Sequence, residues 1–201
     1  MKNKKLRRFL LPMGCAALLI CLSVGMTLAY LTSTDVVTNT FTVGRVDITL
    51  DEAKVDAYGT VDTTAARVTG NAYKLVPGHT YAKDPVVHVT EGSEPCYLFV
   101  KVENGIEDIE VTGSTMAEQM ATNGWTLVTG TENVYAYNTT VNALDATAPV
   151  DVAVFTSFTL AEDAAVGEYT NAQVVITAYA IQADGFDGMT ADEIWAAAAF
   201  E

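Results

Sequence analysis

Residues Thr40–Leu50 read TFTVGRVDITL. Phe41 and Val43 alternate with polar residues, Gly44 interrupts, and Val46, Ile48 and Leu50 resume on the opposite parity. A period of two predicts a half-buried strand, and the parity flip across Gly44-Arg45 predicts a β-bulge, one extra residue placed at a glycine. The same pattern recurs outward from here. Strands are expected in ARVTGNAYKLV (66–76), PVVHVT (85–90), CYLFVKV (96–102) and IEVT (109–112). Further ones are expected in WTLVT (125–129), NVYAYN (133–138), VAVFTSFTL (152–160) and AQVVITAYAIQA (172–183). Turn signals such as Pro77-Gly78, Glu91-Gly92-Ser93, Asn104-Gly105 and Gly130-Thr131-Glu132 separate them. Short, closely spaced strands without alternating helices predict an all-β fold, an antiparallel jelly-roll-like β-sandwich. CYLFVKV is apolar on both faces over Cys96–Phe99, which predicts a central, covered strand.

Two segments have helical character. STMAEQMA (114–121) is short and reads as a weak helix or a loop turn. TADEIWAAAAFE (190–201) predicts a short C-terminal helix, because Thr190 and Glu193 form a Thr-x-x-Glu capping box. Met189 and Ile194 stand at the positions of a hydrophobic staple, and four alanines favour the helical state.

The N-terminus has the zones of an export signal. MKNKKLRR carries five of the eleven basic residues and no acid, and an apolar run follows from Phe9 to Leu28. Thr27 and Ala29 are the small residues at −3 and −1 of a cut before Tyr30. The apolar run is long enough to be read as an uncleaved anchor, but Pro12, Gly14, Gly25 and the missing basic stop-transfer cluster favour cleavage. The expected organisation is a signal peptide over 1–29, an extended arm over 30–40 and one β-sandwich domain over 41–201. The expected location is outside the cytoplasm, with membrane contact only through the uncleaved signal segment.

Cleavage leaves 6 basic and 25 acidic residues, a formal charge of −19. Such a surface argues against nucleic acid and anionic membrane as partners, since both reward basic patches. Cys15 and Cys21 leave with the signal, so Cys96 stands alone and no internal disulfide can form. It reads as a small buried hydrophobe.

Catalytic signatures are absent from the sequence: no G-x-S-x-G, C-x-x-C, H-E-x-x-H, Walker loop or G-x-G-x-x-G occurs. His79 and His88 are the only histidines, and with Asp84 or Glu91 they are the weak candidates for a zinc site. DGFDGMTADE (184–193) is the densest acidic group, but Phe186 stands where a calcium loop needs an oxygen ligand. The reading therefore assigns no catalytic residue and no cofactor. Asn138-Thr139-Thr140 matches a glycosylation sequon, meaningful only in a eukaryotic secretory context.

AYLTSTDVVTNTFTVGRVDITLDE (29–52) resembles the N-terminal region of the TasA/camelysin family of secreted Gram-positive proteins. The matching features are Ala29 before Tyr30-Leu31, then Phe41, Gly44, Asp47 and Ile48 of an F-x-x-G-x-x-D-[IL] pattern. LVPGHTYAKDPVVHV is similar to a second block through Leu75, Pro77, Gly78 and Lys83. The resemblance implies processing by a SipW-type signal peptidase. It also implies a role as a structural subunit of extracellular fibres, in a biofilm matrix or on the cell surface, with itself or homologous subunits as partners. In fibre-forming members the freed N-terminal segment adds as a strand to a neighbour. The arm here, YLTSTDVVTNT, suits that use: it is rich in β-branched residues, lacks proline and glycine, and carries one charge, Asp35. Leu31, Val36 and Val37 are its apolar contacts, and Phe41 and Gly44 fix where it meets the domain. Camelysins are classed as metallopeptidases, so a peptidase using His79 or His88 is an alternative expectation. A glycan-binding module with Trp125, Tyr135, Tyr137 or Tyr169 as stacking platforms is another.

Overall fold

The apolar runs fold into nine strands in a computed structural model that describes residues 44–200. The strands are β1 (Ile48–Asp51), β2 (Thr80–Ala82), β3 (Val86–Val89), β4 (Cys96–Asn104), β5 (Trp125–Leu127), β6 (Val134–Tyr137), β7 (Val150–Ala153), β8 (Ser157–Thr159) and β9 (Val174–Gln182). All pairings between them are antiparallel. They form a three-stranded sheet β1-β3-β7, a four-stranded sheet β5-β6-β4-β9 and the pair β2-β8. The expected signal peptide, the arm and its residues Thr27, Ala29, Tyr30, Leu31, Val36, Val37 and Phe41 lie outside the described residues. Among the described residues no helix is long and apolar enough to cross a membrane.

The alternation of β4 decides the layering. Cys96, Leu98, Val100 and Val102 point into the main core, where Val87, Val89 and Val152 of the three-stranded sheet meet them. Two sheets facing each other across such a core make a sandwich. Tyr97 and Phe99 point the other way, into a second cluster with Tyr179, Ile181, Ile194 and Trp195. β4 is therefore central and covered on both faces, which explains its unbroken apolar run. The cover on the second face is the expected C-terminal helix, α2 (Ala191–Ala198), through Ile194 and Trp195.

Two helices occur. α1 (Met116–Thr122) and α2 (Ala191–Ala198) both start with a complete capping box, Thr115 with Glu118 and Thr190 with Glu193. α1 settles the ambiguous STMAEQMA as a helix: Met116 and Met120 are buried, and the box satisfies its first amide groups. Buried Glu110 accepts the Met116 amide at 3.1 Å. Gln119 then stitches the chain at 156–157, and Asn123 donates to the Val154 carbonyl at 3.0 Å.

Several segments differ from expectation. VAVFTSFTL is two strands in two sheets: β7 pairs with β3, β8 with β2, and fully buried Val154 and Phe155 make the corner. IEVT contains only an isolated bridge, Glu110 to Leu160, following a 3₁₀ turn at Glu107–Ile109. ARVTGNAYKLV is irregular apart from a Glu52–Val68 bridge, because side chains rather than a ladder hold it. Asn71 accepts the Val55 amide and donates to the Ala53 carbonyl, while Arg67 donates to the carbonyls of Asp51 and Asp84. Of the expected bulge, Gly44–Asp47 is described and runs outside any strand. It is tied to the 90–94 turn through the Arg45 and Asp47 carbonyls.

Candidate functional site: an open strand edge and the trough beside it

β9 is the last strand of the four-stranded sheet, and among the described residues no strand pairs with its outer edge. Its sequence, VVITAYAIQ, has no charge, proline or glycine, so it lacks the usual devices that protect an edge from pairing with another chain. The core beneath it is also incompletely closed. Core-facing residues of β4 are sealed, whereas Val174, Ile176, Ala178 and Ala180 of β9 are only half-buried. β1, the edge of the facing sheet, behaves the same way through Ile48 and Leu50. The sandwich is thus least closed along the seam where these two edges approach.

Two cavities lie along that seam. A cavity of about 580 Å³ is lined by Tyr73, Leu75, Phe158, Tyr169 and Val174. A second, of about 230 Å³, lies between Leu50, Glu52, Pro85 and Ile176. Both are lined by Asn71, Lys83, Val174 and Val175, so they form one trough beside the first residues of β9.

The trough has a charged centre. Lys83 Nζ meets Glu52 Oε2 at 2.6 Å, and both side chains are at least nine-tenths buried. Asn71 Nδ2 donates to the other Glu52 oxygen at 2.9 Å. Burial, with the neighbouring Glu52 charge, pushes the Tyr73 phenol far above its ordinary range. Its hydroxyl donates to the Ala82 carbonyl. Toward the β1 end, Arg67 binds the carboxylates of Asp51 and Asp84, and Asp84 also accepts the Ala53 amide at 2.7 Å.

Asp51 links this network to His88. The imidazole lies between Asp151 on β7, at 2.6 Å from Nδ1, and Asp51 on β1, at 2.9 Å from Nε2. Burial pulls the imidazole pKa down, but hydrogen bonds and charge from the two carboxylates outweigh it and raise it. Burial pushes Asp51 upward, and its bonds to Arg67 and His88 bring it below its ordinary value. A protonated His88 donates to both carboxylates and so ties the three strands of its sheet together.

The sequence candidates separate accordingly. His79 sits before β2, its Nε2 2.9 Å from the Tyr58 carbonyl and its ring edge-on to Tyr81. His88 is in β3, so the fold does not bring the two histidines to one site. Asp84 is engaged by Arg67, and Glu91 lies on an exposed turn. Among the described residues no group of three or more His, Cys, Asp or Glu side chains is arranged to hold a metal ion. In DGFDGMTADE, the Glu193 carboxylate is occupied by the Thr190 cap at 2.8 and 3.0 Å. Cys96 is fully buried, and burial pushes its thiol up to about 11. Trp125 is a core residue whose Nε1 donates to the Ala153 carbonyl, and Tyr135 and Tyr137 pack against the core. Tyr169 alone of the aromatic candidates lines the trough.

Lys83, from the second block of the resemblance, reaches the centre of the trough; Glu52 and Asn71 were not singled out by sequence reasoning. Their partners lie 31 and 19 positions away, beyond any local spacing rule. Gly44 is exposed, and a side chain there would press on Glu94. No family model, curated protein or solved structure matches the chain.

Proposed function

We propose that this chain is a secreted, non-enzymatic structural subunit that assembles at the cell surface or in an extracellular matrix by strand addition. In this reading, a SipW-type signal peptidase frees the arm at Tyr30. Residues 30–40 of one copy then lie along the outer edge of β9 in the next. The observation that carries the reading is the seam itself: an uncharged nine-residue edge strand whose core-facing side chains are left half-buried. An extended arm of eleven residues spans about 36 Å at about 3.3 Å per residue, enough to run the full length of β9. Backbone hydrogen bonds would supply affinity, and alternate apolar residues such as Leu31 and Val37 would supply register. A donor–acceptor contact between different surfaces does not close on itself, so repetition gives a filament. The acidic surface and the single buried thiol are compatible with an extracellular subunit held together by its core. The resemblance of 29–52 and 75–89 to TasA/camelysin proteins supports the same reading.

The test compares protein starting at Tyr30 with protein starting at Phe41 by negative-stain electron microscopy. Filaments are expected from the first and not the second. Equal assembly by both forms would remove the arm from the mechanism, and failure of both would remove self-assembly.

A further inference from the structure

Glu52, Lys83 and Asn71 have a chemistry that strand addition does not use. A carboxylate holds a primary amine on one oxygen and a primary amide on the other: Lys83 Nζ at 2.6 Å from Oε2, Asn71 Nδ2 at 2.9 Å from Oε1. The amide is fixed at its other end, since Asn71 Oδ1 accepts the Val55 N–H at 3.0 Å and Nδ2 also donates to the Ala53 carbonyl at 2.8 Å. The Lys83 ammonium has three protons, and Glu52 is its hydrogen-bond partner among the described residues. A nucleophile, a carbonyl carbon, a proton carrier and an oxyanion donor are thus held together at a site closed on the Lys83–Glu52 side.

We propose that Lys83 and Asn71 form an intramolecular isopeptide bond, with Glu52 as the proton-transfer residue. The reaction begins with one proton passing from Nζ to Oε2 along their 2.6 Å hydrogen bond, which leaves a neutral amine and a carboxylic acid. The Nζ lone pair then forms a bond to Asn71 Cγ, and the carbonyl π electrons move to Oδ1. The Val55 N–H already points at that oxygen and stabilises the charge that develops there. Collapse restores the carbonyl and breaks Cγ–Nδ2. Glu52 takes the second proton from Nζ and delivers protons to the departing nitrogen, which leaves through the trough as ammonium. The sum is Lys–NH₃⁺ plus Asn–CONH₂ giving Lys–NH–CO–Asn plus NH₄⁺, with the Glu52 carboxylate regenerated. No oxidant, metal or co-reactant is consumed. Reaction within one folded chain gains the large advantage of held reactants.

The bond would join the irregular 66–76 segment covalently to the β2–β3 connection, on the wall of the trough. In a mature chain with one cysteine, it would give the crosslink that a disulfide cannot. It does not depend on the arm: fibre assembly and bond formation can each fail without the other.

Mass spectrometry of the purified full chain tests it. The intact protein should be lighter by one ammonia, about 17 Da. Trypsin should fail to cut after Lys83, giving a branched peptide in which Val68–Lys74 is joined to Leu75–Lys101. Separate, unmodified peptides containing Asn71 and Lys83 would overturn the proposal. K83R must abolish both the mass loss and the branched peptide; a persistent loss of ammonia in K83R would assign it to cyclisation at Asn71 instead. E52Q should leave the chain unlinked and E52D should restore some linkage. Full linkage in E52Q would remove Glu52 from the chemistry.

Discussion

Replacing Phe99 by alanine tests the double coverage of β4, on which the layering depends. The ring is 1% exposed and faces away from the main core, with centroids 5.4 Å from Trp195 and 6.0 Å from Phe200. Burying a Phe side chain contributes about 1.5–3 kcal/mol, and the cavity left by truncation raises a typical Phe→Ala cost to about 3–5 kcal/mol. The site is bounded by a short helix that can settle only partly, so we expect a loss of about 4 kcal/mol. For a domain of this size that corresponds to a fall in melting temperature on the order of 10 °C. Urea unfolding followed by far-UV circular dichroism would measure it. T177A, which truncates an exposed side chain on β9 opposite Lys101, should change stability by no more than about 0.5 kcal/mol. Because the Phe99 and Trp195 rings touch, F99A and W195A should be non-additive by about 0.5 kcal/mol or more. A loss below about 1 kcal/mol for F99A, or strict additivity with W195A, would refute the idea that α2 forms a second core against β4.

The His88 clamp predicts a pH dependence. Its folded pKa is raised, so its contribution is fully present below the ordinary imidazole value of 6.5 and is lost as pH rises through the folded value. Asp51 is lowered, so its contribution is present above its ordinary 3.8 and is lost as pH falls through the folded value. H88Q should therefore cost more stability near pH 6 than near pH 9; an equal or larger cost at the higher pH would contradict the clamp. Cys96, fully buried with its thiol pushed up to about 11, should not react with a thiol reagent in native protein and should react promptly in urea. Fast native labelling would mean that β4 is not sealed. Gly59 has a φ of 78°, and a Cβ there would stand 2.7 Å from Tyr81 Cα. G59A should cost at least about 2 kcal/mol in chemical unfolding, and a neutral result would show that this turn relaxes freely.

Legibility followed the range of the forces involved. β3, β4, β6 and β9 are visible as apolar runs because their burial depends on local alternation. α2 is visible because Thr190 and Glu193 are three positions apart. Thr115 and Glu118 carry the same signature for α1, and only its short length hid it. The 66–76 segment shows why alternation can mislead: Val68, Tyr73 and Leu75 do pack inward or bridge, but Asn71 and Arg67 make the backbone contacts that a ladder would otherwise make. VAVFTSFTL reads as one strand because its corner, Val154–Phe155, is as apolar as the strands on either side. β2 was missed because three residues between turn signals are too few to show a period. Lys83 stood out only through the resemblance, and the Glu52–Lys83–Asn71 group was illegible because its members meet only after three separate segments pack.

The claim that β9 accepts the arm can be read most directly by amide hydrogen exchange. Protein starting at Phe41 would be titrated with the peptide Tyr30–Thr40, and exchange followed along the whole chain. New protection is expected to concentrate in Val174–Gln182, with smaller effects at Ile48–Asp51 across the seam. No protection at saturating peptide, or protection on the edge strands β5 or β7 instead, would contradict it.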